Sequence, residues 1–353
     1  MSELQQQLQT TGDFLSLTRQ FPQQLPELFT FTLSHPQTQA QTLVSVLDTG
    51  VICFEPIDQD CNSDIVLSSA VHGNETAPIE ICQQLISELI LGKLALKQRV
   101  LFLFGNPASI NIGERFIEEN LNRLFSGAHS DGEGLCNDER KRALALENYV
   151  RDFFDQGATI SGERTRYHYD LHTAIRGSKN DKFAVYPYLN GGKRDTQQLQ
   201  FLLSCGINTI LLSHNPTTTF SYFSTNEFSA HAFTVELGKV MPFGENNMAD
   251  FALTKQALSK LISGQDLALK PFDENDFSIY EIYKIINKET DDFYFNFSDD
   301  ALNFTDYPLD YVLASDDGVD HLVTVPGEAI IFPNANVALG QRALLTVRPT
   351  TIT

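Results

Sequence analysis

"DIVLSSAVHGNETAPIEICQQLISELI", residues 64–90, decides the fold. Its opening, "DIVLSSAV", is short, largely apolar and carries Ile and Val, the composition of a buried strand. Its close, "IEICQQLISELI", spaces its apolar residues at helical period. Pro78 fits the first turn of that helix, where a missing N–H costs nothing. Between strand and helix, His72 and Glu75 stand three residues apart in a glycine-containing loop. Strand, loop and helix in succession read as one unit of an α/β sheet with helices on its faces. Ligands of such sheets bind outside the carboxyl ends of the strands, and His72 and Glu75 lie just past one. Gly73 is expected to let the backbone turn tightly, so that imidazole and carboxylate aim at one point.

Outward from this stretch the alternation of strand and helix continues, from about residue 21 to 266. "RVLFLFG" (99–105), "RYHYDLHTAI" (166–175), "INTILLS" (207–213) and "AFTVELG" (232–238) read as strands. "DERKRALALENYVRDFF" (138–154) reads as a helix capped by Asp138, and "MADFALTKQALSKLIS" (248–263) as another, ended near Gly264. "GQDLALKPFDENDFS" (264–278) reads as a linker. Beyond it, "YEIYKIIN", "FYFNF", "EAIIFPN" and "RALLTVRP" are short strands broken by Asp, Gly and Pro. They form either a small β-rich domain or an extension of the main sheet.

Composition excludes several classes. The 353 residues are 42% hydrophobic and 20% charged, as in an ordinary globular protein. A net charge of −20 repels nucleic acid and anionic membranes, so neither is an expected partner. No segment reaches the roughly 18 apolar residues that span a bilayer, and "MSELQQQLQTTGDFL" has no signal-peptide character. The five cysteines are scattered, odd in number and free of CxxC pairs, which argues against a disulfide scaffold or a cysteine zinc site and suggests the cytoplasm. An anionic substrate would have to find its Arg and Lys gathered locally.

A lone HxxE is more often a cap or a surface pair than a metal site. Its position past a strand favours metal. A catalytic zinc takes three protein ligands, His₂Glu among the established sets, so a second histidine is needed. Of the eight, His35, His129 and His321 lie in polar contexts and are expected to be exposed. His231 precedes its strand, at the wrong end. His214 follows one and stays in the set. In "YHYDLHTAIRGS", His168, Asp170 and His172 share a strand face by period two. His172, nearest the carboxyl end, is preferred; His168 is expected deeper. Asp170 either orients a ligand histidine or caps the strand. Hydrolysis also needs a general base. Glu236 ends the apolar run "HAFTV" and is costly to bury unless paired or functional. "NPASINIGERFIEENLNRLFSG" (106–127) follows a strand and offers Arg115, Asn122 and Arg123, suited to carboxylates. The same residues also fit a plain helix with paired surface charges.

Together, "HGNE", "GNP", "ERF" with "NLNR", "DLH" and "VELG", in this order, resemble the zinc-dependent succinylglutamate desuccinylase and aspartoacylase family, relatives of the zinc carboxypeptidases. The resemblance covers most of residues 45–240. It implies an α/β fold: a zinc-carboxypeptidase-like domain with a central mixed sheet flanked by helices (1–266), plus a small β-rich C-terminal domain (267–353). It implies one Zn²⁺ per chain held by His72, Glu75 and His172, with Glu236 as the catalytic glutamate. Arg115, Asn122 and Arg123 match substrate-binding and carbonyl-polarising positions, and Arg176 is a further candidate for a substrate carboxylate. "HGNETAPIE", "RFIEENLNRLF" and "DLHTAIRGS" sit closest to the desuccinylase branch. That implies hydrolysis of N-succinyl-glutamate to succinate and glutamate, in the last step of the arginine succinyltransferase pathway. The expected partner is a small anionic acyl amino acid; a homo-oligomer is left open. Rival readings are another acyl amino acid amidohydrolase such as an aspartoacylase, a metallocarboxypeptidase, and a non-catalytic zinc-binding protein.

Overall fold

The structure, a computed structural model, describes residues 2–57, 59–159 and 163–352. Its strands are β1 (Phe29–Ser34), β2 (Gln41–Asp48), β3 (Val51–Ile57), β4 (Ser63–Ser69), β5 (Arg99–Phe104), β6 (Thr165–Ala174), β7 (Phe183–Tyr186), β8 (Thr209–Leu212), β9 (His231–Lys239), β10 (Ser278–Asn287), β11 (Tyr294–Phe295), β12 (Val312–Asp316), β13 (Val319–Leu322), β14 (Ala329–Ile331) and β15 (Arg342–Pro349). Twelve make one mixed sheet, ordered β1-β2-β3-β5-β4-β6-β9-β7-β8-β10-β15-β14. Its centre, β5-β4-β6-β9, is parallel.

Every residue of β4 and β5 is buried, as expected for parallel strands covered on both faces. The alternation of their side chains divides the core. Ile65, Leu67 and Phe102 pack against helices Thr76–Ile90, Thr196–Ser204 and Ala252–Ser263. Val66, Leu101 and Leu103 pack against helices Asp138–Thr159 and Phe220–Phe228. No helix among the described residues is long and apolar enough to cross a membrane.

The β-rich C-terminal region does two things. β11, β12 and β13 form a separate small sheet over their own core, which includes Phe293, Leu313, Val323 and Ile330. β10 pairs in parallel with β8, Ser278 opposite Thr209, so β10, β15 and β14 continue the main sheet.

Two local expectations change. The Asp138–Thr159 helix is capped by Asn137, whose Oδ1 accepts from the Arg140 N–H at 2.9 Å, rather than by Asp138. In the stretch after β5 the α-helix covers only Pro107–Ile112 and ends at Gly113 with φ +69, and a single 3₁₀ turn follows at Leu121–Arg123. The loop beyond is held by Glu139, whose carboxylate accepts the N–H groups of Ile117, Glu118 and Glu119 at 2.6–2.9 Å.

Candidate active site

β4 ends at Ser69, and the chain turns through Ala70 at φ +55 into the His72–Glu75 loop. Gly73 is needed for a reason other than the turn. A Cβ there would lie 2.2 Å from the Ser109 carbonyl carbon and 2.4 Å from the Ile110 nitrogen. The loop therefore lies directly on the start of the Pro107–Ile112 helix, and only glycine permits that approach. The Gly73 N–H donates to Arg115 O at 3.2 Å, which ties the His72 loop to the arginine loop.

His72, Glu75 and His172 converge. All three are buried, and one ligand atom from each lies within 4.8 Å of the others. Glu75 Oε1 faces His72 Nδ1 at 2.8 Å and accepts from Arg115 Nη1 at 2.7 Å. Glu75 Oε2 faces His172 Nδ1 at 2.9 Å and accepts from the Thr173 N–H at 3.0 Å. Each imidazole's other nitrogen meets an oxygen acceptor: His172 Nε2 is 2.8 Å from Asp170 Oδ2, and His72 Nε2 is 2.9 Å from Asn120 Oδ1. The Asn120 oxygen is fixed by a second bond, from the Asn122 N–H at 3.0 Å.

Proton accounting shows what this cluster can hold. Burial, helped by the Arg115 charge, pushes His72 down to about 4, so it is neutral at ordinary pH. Both ring nitrogens face an oxygen acceptor, Asn120 Oδ1 at Nε2 and Glu75 Oε1 at Nδ1; metal binding requires the proton on Nε2, donated to Asn120. Nδ1 is then a bare lone pair against a carboxylate oxygen. Burial works against ionising Glu75, but His72 and His172 hold its pKa well below the usual range, so that oxygen is charged. His172 is buried too, yet the Asp170 and Glu75 carboxylates raise its pKa well above the ordinary value. A metal ion held by His72 Nδ1, Glu75 and His172 Nδ1 would displace the proton that His172 shares with Glu75. The outer bonds to Asp170 and Asn120 are those that orient metal-ligating histidines. The residues present can therefore hold a metal ion.

Glu236 lies opposite His172 in the β6–β9 ladder. It is 8% exposed, and its Oε2 has no hydrogen-bond partner among the described residues. Burial raises its pKa to about 7; His172 and Arg115 act against the rise, while Glu75 and Asp170 add to it. A carboxylate balanced near neutrality with a free oxygen suits proton transfer.

The arginine loop delivers its residues unevenly. Arg115 touches the cluster directly through Glu75. Asn122 is buried and its Oδ1 is engaged by the Phe220 N–H at 3.1 Å, leaving its NH₂ for a ligand. Arg123 is exposed to solvent, though the protein around it is dense enough to desolvate its charge. Desolvation there, with the Arg115 charge, pushes its guanidinium down to about 10. Arg176, past the end of β6, donates to Ala301 O at 3.0 Å and makes no direct contact with the cluster.

The other histidines separate cleanly. His168 is deeper, bound by the Ser68 and Ser224 hydroxyls at 2.8 and 2.7 Å. His214 pairs with Glu281 at 2.8 Å. His231 sits at the amino end of β9. His129 is a correction: it is buried, with Ser130 Oγ at 2.7 Å and Glu147 at 3.4 Å. Two contributors were not readable in advance. Asn120 lies within "NLNR", but only the fold brings it to His72 across 48 residues of chain. Glu139 holds the arginine loop from an unrelated helix.

Comparison with known proteins agrees with this architecture. Residues 61–262 match the succinylglutamate desuccinylase/aspartoacylase catalytic domain, and residues 275–350 match the AstE/AspA barrel-sandwich hybrid domain. The chain is 53% identical to the succinylglutamate desuccinylase of Shewanella pealeana over 343 residues, 97% of each chain. It is 50% identical to that of Pseudoalteromonas atlantica, over all of this chain and 97% of the other. The solved succinylglutamate desuccinylase of Vibrio cholerae superposes with a TM-score of 0.84 at 33% identity, covering 95% of this chain and 94% of that one. The Chromobacterium violaceum enzyme gives 0.81 at 34%, covering 96% and 98%. With its fold, its motifs in order and matches along nearly the whole chain, the protein belongs to the succinylglutamate desuccinylase/aspartoacylase family.

Proposed function

We propose that this chain is a zinc-dependent amidohydrolase that cleaves N-succinyl-L-glutamate to succinate and L-glutamate, in arginine catabolism by the succinyltransferase route. The observation that carries the reading is the buried His72–Glu75–His172 cluster with Glu236 beside it. The full-length similarity to succinylglutamate desuccinylases supports the substrate.

Two imidazoles and one glutamate are a catalytic rather than a structural zinc set, since structural sites are closed by four ligands and favour cysteine. Zinc, one per chain, supplies when bound the Lewis acidity that makes water a nucleophile near neutral pH. His72, oriented by Asn120, His172, oriented by Asp170, and Glu75 would hold it. Glu236 takes the proton of the attacking water through its free oxygen and returns it to the leaving glutamate nitrogen. Arg123 donates to the developing oxyanion, where one such donor is worth about 3 kcal/mol. Arg115, Asn122 and Arg176 bind carboxylates of the substrate, a small anion drawn to local positive charge within an acidic protein. All five cysteines are free, which supports the cytoplasm as compartment. The division between catalytic and C-terminal domains is taken at residues 266 and 267, in the segment before β10.

The test is amine release from two substrates. Fast release of glutamate from N-succinyl-glutamate with little aspartate from N-acetyl-aspartate is the expected result. The reverse preference would assign the chain to the aspartoacylase activity instead.

A further inference from the structure

Arg342 opens β15, opposite Asn287 of β10. Its guanidinium lies over the Phe332 ring, which is 5.7 Å from the ring of Phe183, the residue opposite Glu236 in the β7–β9 ladder; the charges acting on it are those of Arg123 and Arg115. Arg115 in turn acts on Arg123, His72 and Glu236. A residue near the end of the chain thus shares the electrostatic surroundings of the candidate active site.

Its side chain lacks the carboxylate that holds many of the buried arginines. Arg99 is held by Asp64 and Glu55, Arg164 by Asp64, Arg142 by Asp48 and Arg140 by Glu119. Arg342 makes no hydrogen bond or ion pair among the described residues, and its buried Nε has no partner. Its guanidinium carbon stands 5.9 Å from the centre of the Phe332 ring. Arg123 has no acidic partner either; its one bond is from Nη1 to Asn122 O at 2.9 Å. The chain has 45 acidic residues against 25 Lys and Arg, so two neighbouring arginines without a carboxylate are not explained by a shortage of acids. Desolvation and the repulsion of Arg123 and Arg115 push Arg342 down to about 9. Uncompensated positive charge of this kind is offset when a ligand anion enters.

We propose that Arg342 is a substrate-binding residue that receives a carboxylate of the substrate, so that the β-rich C-terminal region supplies part of the pocket. This rests on the desuccinylase reading above. N-succinyl-glutamate carries three carboxylates, and an arginine fork engages one of them bidentately. The contact is present in ground state and transition state alike, so its loss acts on KM rather than on kcat.

The experiment uses the full-length zinc-loaded enzyme and its R342Q and R342K variants. Steady-state kinetics are measured on N-succinyl-glutamate and on three analogues, each with one carboxylate replaced by a neutral amide. R342Q is expected to raise KM for the parent by about 10- to 100-fold, the range of a charge-assisted hydrogen bond, with kcat within about threefold. The penalty should vanish for one analogue only, the one lacking the carboxylate that Arg342 holds. R342K, which keeps the charge and loses the fork, should fall between and carries the test if R342Q does not fold. An unchanged KM, or an equal penalty for all four compounds, overturns the proposal. Succinate and glutamate are also tested as stabilisers in thermal melts. If the wild type lacks turnover but one of them stabilises it in an Arg342-dependent way, the site stands and the substrate reading fails. If neither turnover nor such stabilisation is found, both fail.

Discussion

Replacing Glu236 with glutamine separates chemistry from folding, because the same burial that suits Glu236 to proton transfer also destabilises the fold. The side chain keeps its size and loses only its charge and basicity. General-base catalysis contributes about 10²–10⁴-fold, so E236Q should lose at least a hundredfold in kcat while still binding zinc. The wild-type kcat/KM should rise with pH as Glu236 deprotonates, at a pH below the metal-free value of about 7 because bound zinc favours the carboxylate. The residual activity of E236Q should lack that limb. Stability moves the other way. A rise from 4.5 to about 7 corresponds to about 3 kcal/mol. This is the cost of ionising Glu236 inside the fold. Below pH 4.5 the group is protonated both folded and unfolded, and the cost is absent. Between 4.5 and 7 only the unfolded chain gives up the proton, so stability falls as pH rises; above 7 the full cost applies. Metal-free E236Q should therefore be more stable than metal-free wild type by about 3 kcal/mol at pH 8, and equal to it near pH 4. Denaturant unfolding at the two pH values reads this directly. Activity within tenfold of wild type, or a variant less stable at pH 8, would refute the reasoning.

The other predictions concern the cluster's support. D170N removes the carboxylate from His172 Nε2 at 2.8 Å and should weaken zinc binding about 10- to 100-fold, measured by competition with a chromogenic chelator. G73A places a methyl group 2.2 Å from the Ser109 carbonyl carbon. It should cost about 1–3 kcal/mol in unfolding free energy, the usual range for overpacking, and lower zinc affinity as the His72 loop shifts.

Much of the site was legible because its parts are local. "HGNE" carries two of the three converging residues within four positions, and the period-two rule puts His168, Asp170 and His172 on one face with His172 nearest the carboxyl end. The preference for His172 over His168 follows from strand direction alone; in the fold His168 lies among serine hydroxyls, and His172 faces Glu75. Long-range positioning was not legible. Asn120 and Glu139 act across 48 and about 20 residues of chain, where spacing carries no information. Arg342 belongs to a strand whose approach to the site depends on sheet order. His129 was misread because polar neighbours in sequence do not reveal Glu147 waiting eighteen residues on. Gly73 was recognised for the wrong physical reason, since what it permits is an approach of distant backbone. The C-terminal strands read as an appended unit, and they are also the continuation of the catalytic sheet through β8 and β10.

The most direct test is a zinc titration of metal-stripped protein, with glutamate release from N-succinyl-glutamate as the readout. Activity should be absent at the start, rise linearly and reach a plateau at one zinc per chain. Turnover that survives complete removal of metal, or none at any zinc concentration, would contradict the account.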